Sequence, residues 1–214
     1  MTDKFEYSAE PVDKREFTAS FDQFYSKFAR AYDVGVKVLP IWKTWLGHTI
    51  PYLRGPRVLE VSFGTGYLLT QYAARFKTYG LDYNRLMVTT AHKNLRRAGL
   101  SAHLQQGNVE TLPYQAESFD SIVNTMAFSG YPDGIKAMTE MHRVLKKGGR
   151  LILIDVNYPL DRNWLGTRLT KIWQRAGDLI RDMGELFRRV GFSYSDEAIG
   201  GYGSIHLYVA IKKD

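Results

Sequence analysis

The chain of 214 residues has no cysteine. That excludes disulfides, thiolate zinc sites and cysteine nucleophiles, and it fits a cytoplasmic protein. No apolar run approaches the ~20 residues a helix needs to cross a bilayer. The opening residues, MTDKFEYSAEPVDKREF, are polar and mixed in charge, so they do not read as a secretory signal peptide. Blocks of like charge are also missing. Lys and Arg number 29 against 22 Asp and Glu, a surplus of +7 spread along the whole chain. Such a balance favours anionic partners, among them a lipid surface. Without a basic-aromatic platform or a recognition module, nucleic acid is not an expected partner.

With 44% hydrophobic and 24% charged residues, the composition is that of a globular domain with a sizeable core. Residues 1–16 read as a polar N-terminal arm. Residues 17–55 read as an N-terminal helical cap, in which Ser20 and Gln23 form a capping box. Behind it Phe21, Phe24, Tyr25, Phe28 and Tyr32 recur at helical spacing. Pro40 and Pro51 then break an apolar stretch into helix pieces.

From residue 56 to 214 the texture is that of alternating strands and helices. RVLEVSF, KTYGLDY, AHLQQGN, SFDSIVNTM and RLILIDV read as five strands. Helices are expected over GYLLTQYAARF, over NRLMVTTAHKNLRRAG, and from Pro132 to a stop at Gly148-Gly149. Apolar strands alternating with helices imply a parallel sheet covered on both faces. SYSDEAIG and SIHLYVAIKK can pair as a terminal hairpin. The expected fold is therefore α/β, a Rossmann-like three-layer sandwich. Its seven-stranded sheet is mostly parallel with the last strand antiparallel, and residues 158–190 form a helical lid on the acceptor side.

After the first strand comes Glu60-Val61-Ser62-Phe63-Gly64-Thr65-Gly66, a glycine-rich turn that lets backbone pass close under a ligand. A dinucleotide fingerprint would want a third glycine where Leu69 stands. The second strand ends in Asp82, sixteen residues after Gly66. An acid there either accepts hydrogen bonds from ribose hydroxyls or caps the following helix. The string GNVETLPY puts Asn108 and Val109 at the end of the third strand. EMHRVLKKGGRLILID ends the fifth strand at Asp155.

Taken together, VLEVSFGTG, YGLDYN, GNVETLPY with SFDSIV, and EMHRVLKKGGRLILID resemble the class I S-adenosylmethionine-dependent methyltransferases. The likeness is to their ubiquinone/menaquinone-methylase-like branch of small-molecule enzymes. It covers nearly half the chain, from about Val58 to Asp155, and SIHLYVAIKK resembles the family's antiparallel last strand. It implies S-adenosylmethionine as cofactor and S-adenosylhomocysteine as product. It also implies that Glu60 meets the methionine amino group and that the backbone of Ser62, Phe63, Gly64, Thr65 and Gly66 lines methionine and ribose. Asp82 would hold the ribose hydroxyls, Tyr83 would pack on adenine, and Asn108 with Val109 would read its edge. Tyr32 would bring an N-terminal aromatic over the cofactor. Two positions depart from the family: Ser62 replaces a glycine and needs a tolerant backbone, and Asn108 replaces an aspartate.

Methyl transfer from a sulfonium rests on alignment, so neither a metal site nor a catalytic triad is expected. Thr125, counted with the cofactor site, also heads the acceptor side with Met126, Ser129, Tyr131 and Asp155. Asp155 reads as a base or as a structural cap, and His206 as a core histidine. Histidines that relatives carry after the fourth strand are replaced by Phe128-Ser129-Gly130-Tyr131. In PLDRNWLGTRLTKIWQRA, Trp164, Leu165, Leu169, Ile172 and Trp173 share a helical face, with Arg168, Lys171 and Arg175 mainly elsewhere. That helix either closes the acceptor pocket or lies peripherally on an anionic membrane. The acceptor is expected to be a small hydrophobic or lipid-like molecule, a quinone precursor or a phospholipid amine. The competing readings are a non-catalytic S-adenosylmethionine-binding regulatory protein and an NAD-dependent oxidoreductase.

Overall fold

The computed structural model describes residues 5–20, 22, 23 and 40–213. Tyr32 and the aromatic positions 21, 24, 25 and 28 lie outside the described residues. Seven strands form one sheet: β1 Arg57–Val61, β2 Lys77–Asp82, β3 His103–Gln106, β4 Phe119–Thr125, β5 Leu145–Val156, β6 Phe192–Gly200 and β7 Ile205–Lys212. Their order is β3-β2-β1-β4-β5-β7-β6. The first five run parallel, and β7 is antiparallel to both β5 and β6, so the terminal hairpin forms as expected. The chain winds outward from β1 through β2 to β3, then restarts beside β1 with β4. Strand ends at such a switch of direction splay apart and leave a crevice at their carboxyl edge.

Burial alternates along the strands. Leu59, Val61, Leu151 and Leu153 face one side, together with Met138 and Met141 of α4 (Gly134–Val144) and Phe187 of α6 (Met183–Val190). Val58, Val123, Ile152 and Ile154 face the other. There they meet α2 (Leu69–Tyr72), α3 (Arg85–Arg97) and the inner side of α5 (Trp164–Ala176). With both faces covered, each fully buried Leu or Ile contributes about 1.5–3 kcal/mol.

Local chemistry moves several element boundaries. The helix expected over residues 66–76 shrinks to Leu69–Tyr72, and tight turns bring Lys77 N–H back to the Pro56 carbonyl at 2.8 Å. Helix α4 is capped by Asp133, whose carboxylate accepts from Lys136 N–H. It ends at Val144, ahead of the two glycines that were expected to stop it. Gly148 (φ +68°) and Gly149 instead lie inside β5, in a bulge between the pairs Phe119–Leu145 and Ser121–Arg150. Upstream, residues 14–20 are helical and the cap is Asp13, which accepts from Arg15 and Glu16 N–H, whereas Ser20 Oγ bonds the Phe17 carbonyl. The arm before it lies against the domain: Phe5 stacks on Tyr158 at 4.7 Å, and Ser8 N–H donates to the Ile180 carbonyl. No described helix is long and apolar enough to cross a membrane.

Candidate active site

The crevice between β1 and β4 opens into a cleft with about 980 Å³ of empty space, counting its mouth. Its floor is the turn after β1. Ser62 adopts φ +54°, a left-handed conformation that costs a non-glycine residue roughly 1–2 kcal/mol. Two contacts hold it there. Its N–H donates to the Leu81 carbonyl at 2.7 Å, and its hydroxyl lies 2.7 Å from Tyr131 Oη. Tyr131 is fixed in turn by Asn124 Nδ2, which donates to Tyr131 Oη at 2.8 Å and to the Val61 carbonyl. Gly66 (φ +76°) lines neither the main cleft nor the pocket beside Glu60; a Cβ there would come within 2.7 Å of Ala91, so this glycine seats the turn on α3.

Two buried acids stand at the strand ends. Asp82 accepts from Gly64 N–H and Asn84 N–H, each at 2.9 Å. Burial nevertheless raises its pKa to about 7, with the charge of Asp22 adding to the rise. Glu60 accepts from the Tyr72 hydroxyl at 2.7 Å, yet burial lifts it to about 8, helped by Asp82. Both carboxyls are thus short of positive charge and of donors. Glu60, Phe63 and Thr65 share an adjoining pocket with Ser62, Gly64 and Thr125, closed by Trp42 and Leu46 of α1 (Pro40–Gly47).

Beyond Asp82 the cleft is walled by Tyr83, Met87, Asn108 and Val109. Asn108 caps a short 3-10 turn, Val109–Thr111, its side-chain oxygen accepting from Glu110 N–H at 2.9 Å. Thr18 and Asp22 of the N-terminal segment line the same cleft, and Asn84 Nδ2 donates to Asp22 Oδ1 at 2.8 Å.

Past Thr125 the cleft runs to Ser129, Tyr131 and Asp178. Asp155 does not line it. Its carboxylate accepts from Ser129 N–H, Val156 N–H and Ser129 Oγ, which makes it a brace for the loop after β4. Burial and the charge of Asp178 raise its pKa to about 6. Ser129 Oγ also lies 2.7 Å from Asp178 Oδ1. One hydroxyl proton therefore faces two carboxylates, and burial raises Asp178 as well.

Of the positions singled out in the sequence, the main cleft gathers Ser62, Gly64, Asp82, Tyr83, Asn108, Val109 and Thr125. Met126, Ser129 and Tyr131 continue it. His206 is buried away from it in β7, its Nδ1 at 2.6 Å from Asp196 Oδ1. Sequence reasoning missed Trp42, Asp22, Asn84 and Asp178. Asp178 carried little signal, being one acid just past a basic helix.

Comparisons with known proteins bear on the family and the fold. A family model described as a methyltransferase domain matches residues 59–153. A ubiquinone/menaquinone biosynthesis C-methyltransferase of Vibrio vulnificus is 29% identical over 195 residues, covering 86% of this chain and 73% of that one. A phosphatidylethanolamine N-methyltransferase of Cereibacter sphaeroides is 34% identical over 104 residues, about half of each chain (48% and 51%). Among solved structures, a protein from Thermotoga maritima described as a methyltransferase, possible histamine N-methyltransferase, superposes with a TM-score of 0.72. It shares 21% identity and covers 89% of this chain and 99% of that one.

Proposed function

The chain is a class I S-adenosylmethionine-dependent methyltransferase of the ubiquinone/menaquinone-methylase-like branch, and from that premise we propose that it methylates a small hydrophobic or lipid-like acceptor. The observation that carries this reading is the continuity of the cleft, from Asp82 and Asn108 past Thr125 to Ser129 and Asp178. The residues fit the donor. Two buried acids lacking counter-charge, beside a glycine turn, suit a ligand bearing an ammonium and two hydroxyls. S-adenosylmethionine, when bound, supplies a methyl carbon already electrophilic on its sulfonium.

The protein's share is orientation. Asp82, whose two oxygens are oriented by Gly64 N–H and Asn84 N–H, would accept from the ribose hydroxyls. Glu60 would take the ammonium, and the backbone of Ser62, Phe63, Gly64 and Thr65 would flank the methionine. Tyr83 would pack on the adenine, and Asn108, whose Oδ1 also accepts from Glu110 N–H, would read its edge with Val109. Thr125 marks the passage to the acceptor, which Met126 and Tyr131 surround and Asp178 faces.

A quinone precursor and a phospholipid amine are the two acceptor classes, in keeping with what the relatives are named for. A lipid acceptor also agrees with the outer stripe of α5, where the exposed Trp164 and Ile172 stand among Arg168, Lys171 and Arg175. This differs from the face expected from the sequence, since Leu165 and Leu169 are half-buried and Trp173 packs against the core.

The test is calorimetric titration with S-adenosylhomocysteine, beside Asp82→Ala, with NAD as control. Expected are micromolar binding, a loss of at least about a hundredfold in the variant, and no heat from NAD. An acceptor screen then presents quinone precursors and phospholipid amines in anionic vesicles. Sedimentation with vesicles that survives Trp164→Ala with Ile172→Ala removes the membrane reading.

A further inference from the structure

The pocket beside Glu60 contains a polar group that the donor site so far leaves unused. Trp42 and Leu46, one turn apart on α1, form its lid, while Glu60, Thr65 and Thr125 form its base. Trp45 anchors the helix: its indole lies so near Gly200 that a Cβ there would overlap it, and its ring centroid is 5.8 Å from that of Trp42. Trp42 is therefore held in place, yet its Nε1 is buried without a hydrogen-bond acceptor among the described residues. An indole N–H can only donate, and folded proteins seldom leave a buried donor unmet.

The ligand's own charges say what meets it. A methionine end carries an ammonium and a carboxylate on one carbon. Glu60 attracts the ammonium and repels the carboxylate, which turns to the opposite wall. Among the described residues lining this pocket there is no Lys or Arg to pair with it. We propose that Trp42 reads the α-carboxylate of the donor, its Nε1–H hydrogen-bonding that group in S-adenosylmethionine and S-adenosylhomocysteine alike. The inference rests on the donor assignment above and adds a binding residue to it. It makes the N-terminal helix part of the site, and it gives the protein a means to prefer the intact amino-acid end over a truncated thioether.

Trp42→Phe keeps an aromatic ring on the helix and removes the N–H donor with its five-membered ring, a loss of packing that both ligands below would feel alike. Wild type and variant are titrated with S-adenosylhomocysteine and with 5′-methylthioadenosine, which keeps the adenosine and sulfur but lacks the amino-acid end. The expected result is a loss of about tenfold or more for S-adenosylhomocysteine and less than twofold for methylthioadenosine. Equal losses for both ligands, or none for either, would overturn the assignment. A wild type that binds neither ligand removes the donor reading itself, a distinct result.

Should the variant fold poorly, the wild-type indole protons report directly. The chain has four tryptophans. Single Phe replacements of Trp45, Trp164 and Trp173 assign the Trp42 signal by elimination. That signal is expected to move downfield with S-adenosylhomocysteine and to stay in place with methylthioadenosine. Identical shifts with both ligands reject the carboxylate contact.

Discussion

The two ends of the cleft are built differently. At the donor end the decisive contacts join neighbouring strand ends in register. Val61 pairs with Leu81, Ser62 N–H meets the Leu81 carbonyl, and Gly64 N–H meets Asp82. The sheet itself sets that geometry. At the acceptor end, Ser129 gathers Asp155 from the end of β5 and Asp178 from beyond α5. Arg181 reaches back to the carbonyls of Phe128 and Tyr131. Those contacts depend on side chains converging from three separate segments. A fold can therefore keep one donor site while its acceptor chemistry changes with a few substitutions outside the strands.

The sharpest way to break this contrast is to separate Asp178 from Asp155. An acceptor that arrives protonated must lose a proton before or during transfer, and a positioned base contributes about 10²–10⁴-fold. Asp178 faces the cleft and Asp155 does not. Asp178→Asn is therefore expected to lower kcat by about a hundredfold with S-adenosylhomocysteine affinity unchanged. Asp155→Asn is expected to weaken the loop brace, lowering stability by about 1–3 kcal/mol with the pH profile of kcat kept. Steady-state rates between pH 5 and 9, alongside denaturant unfolding, test both. The reverse pattern, with Asp155→Asn inactive and Asp178→Asn unaffected, would make Asp155 the base.

The same contrast explains what the sequence reveals. Strands and their parallel order follow from the apolar pattern, a local signal, while the candidate donor positions follow from a glycine turn joined to an acid and from the family resemblance. The position of Ser62 even carries its own warning, since serine in a glycine slot implies the left-handed backbone found there. The helix after that turn is misjudged because its apolar spacing continues to Phe76, while the return to β2 needs tight turns earlier. Asp178 and Trp42 are invisible for another reason. One is an acid behind a basic helix and the other an apolar position on a helix piece. What each touches is decided by residues dozens of positions away. For Asp155 the sequence leaves base and structural cap both open, because the partner that makes it a brace, Ser129, lies 26 residues earlier in the loop after β4.

A second test concerns the charge state of the donor end. With Glu60 near 8 and Asp82 near 7, the empty site holds protons at neutral pH. A ligand ammonium needs the Glu60 carboxylate, so binding releases a proton. Affinity for S-adenosylhomocysteine is expected to rise about tenfold per pH unit from pH 6 and to level off above pH 8. Stability of the empty protein runs the other way. Both folded pKa values lie above the ordinary 4.5 and 3.8, so the unfolded chain gives up these protons first. The stabilisation is complete below those ordinary values and is lost as pH rises toward 8. Glu60→Gln can still accept from Tyr72 and should flatten both trends while weakening binding at pH 8. Calorimetry in buffers of different ionisation enthalpy counts the protons directly, and a zero count at pH 7 rejects the scheme.

The smallest effect falls at Ser62, where the two ends touch through its hydroxyl and Tyr131. Two terms oppose each other there. The left-handed backbone costs serine roughly 1–2 kcal/mol that glycine would not incur. The hydrogen bond returns about 1 kcal/mol, and glycine would add unfolded-state entropy of roughly 0.5–1 kcal/mol. Ser62→Ala keeps the strain and drops the bond, so unfolding in urea should show a loss of about 1 kcal/mol. Ser62→Gly drops both strain and bond, and the terms nearly cancel, leaving stability within about 0.5 kcal/mol of wild type. If alanine proves neutral, the Tyr131 contact contributes nothing and the two ends are mechanically independent. If glycine is as damaging as alanine, the strain at φ +54° is negligible and serine persists for the contact alone.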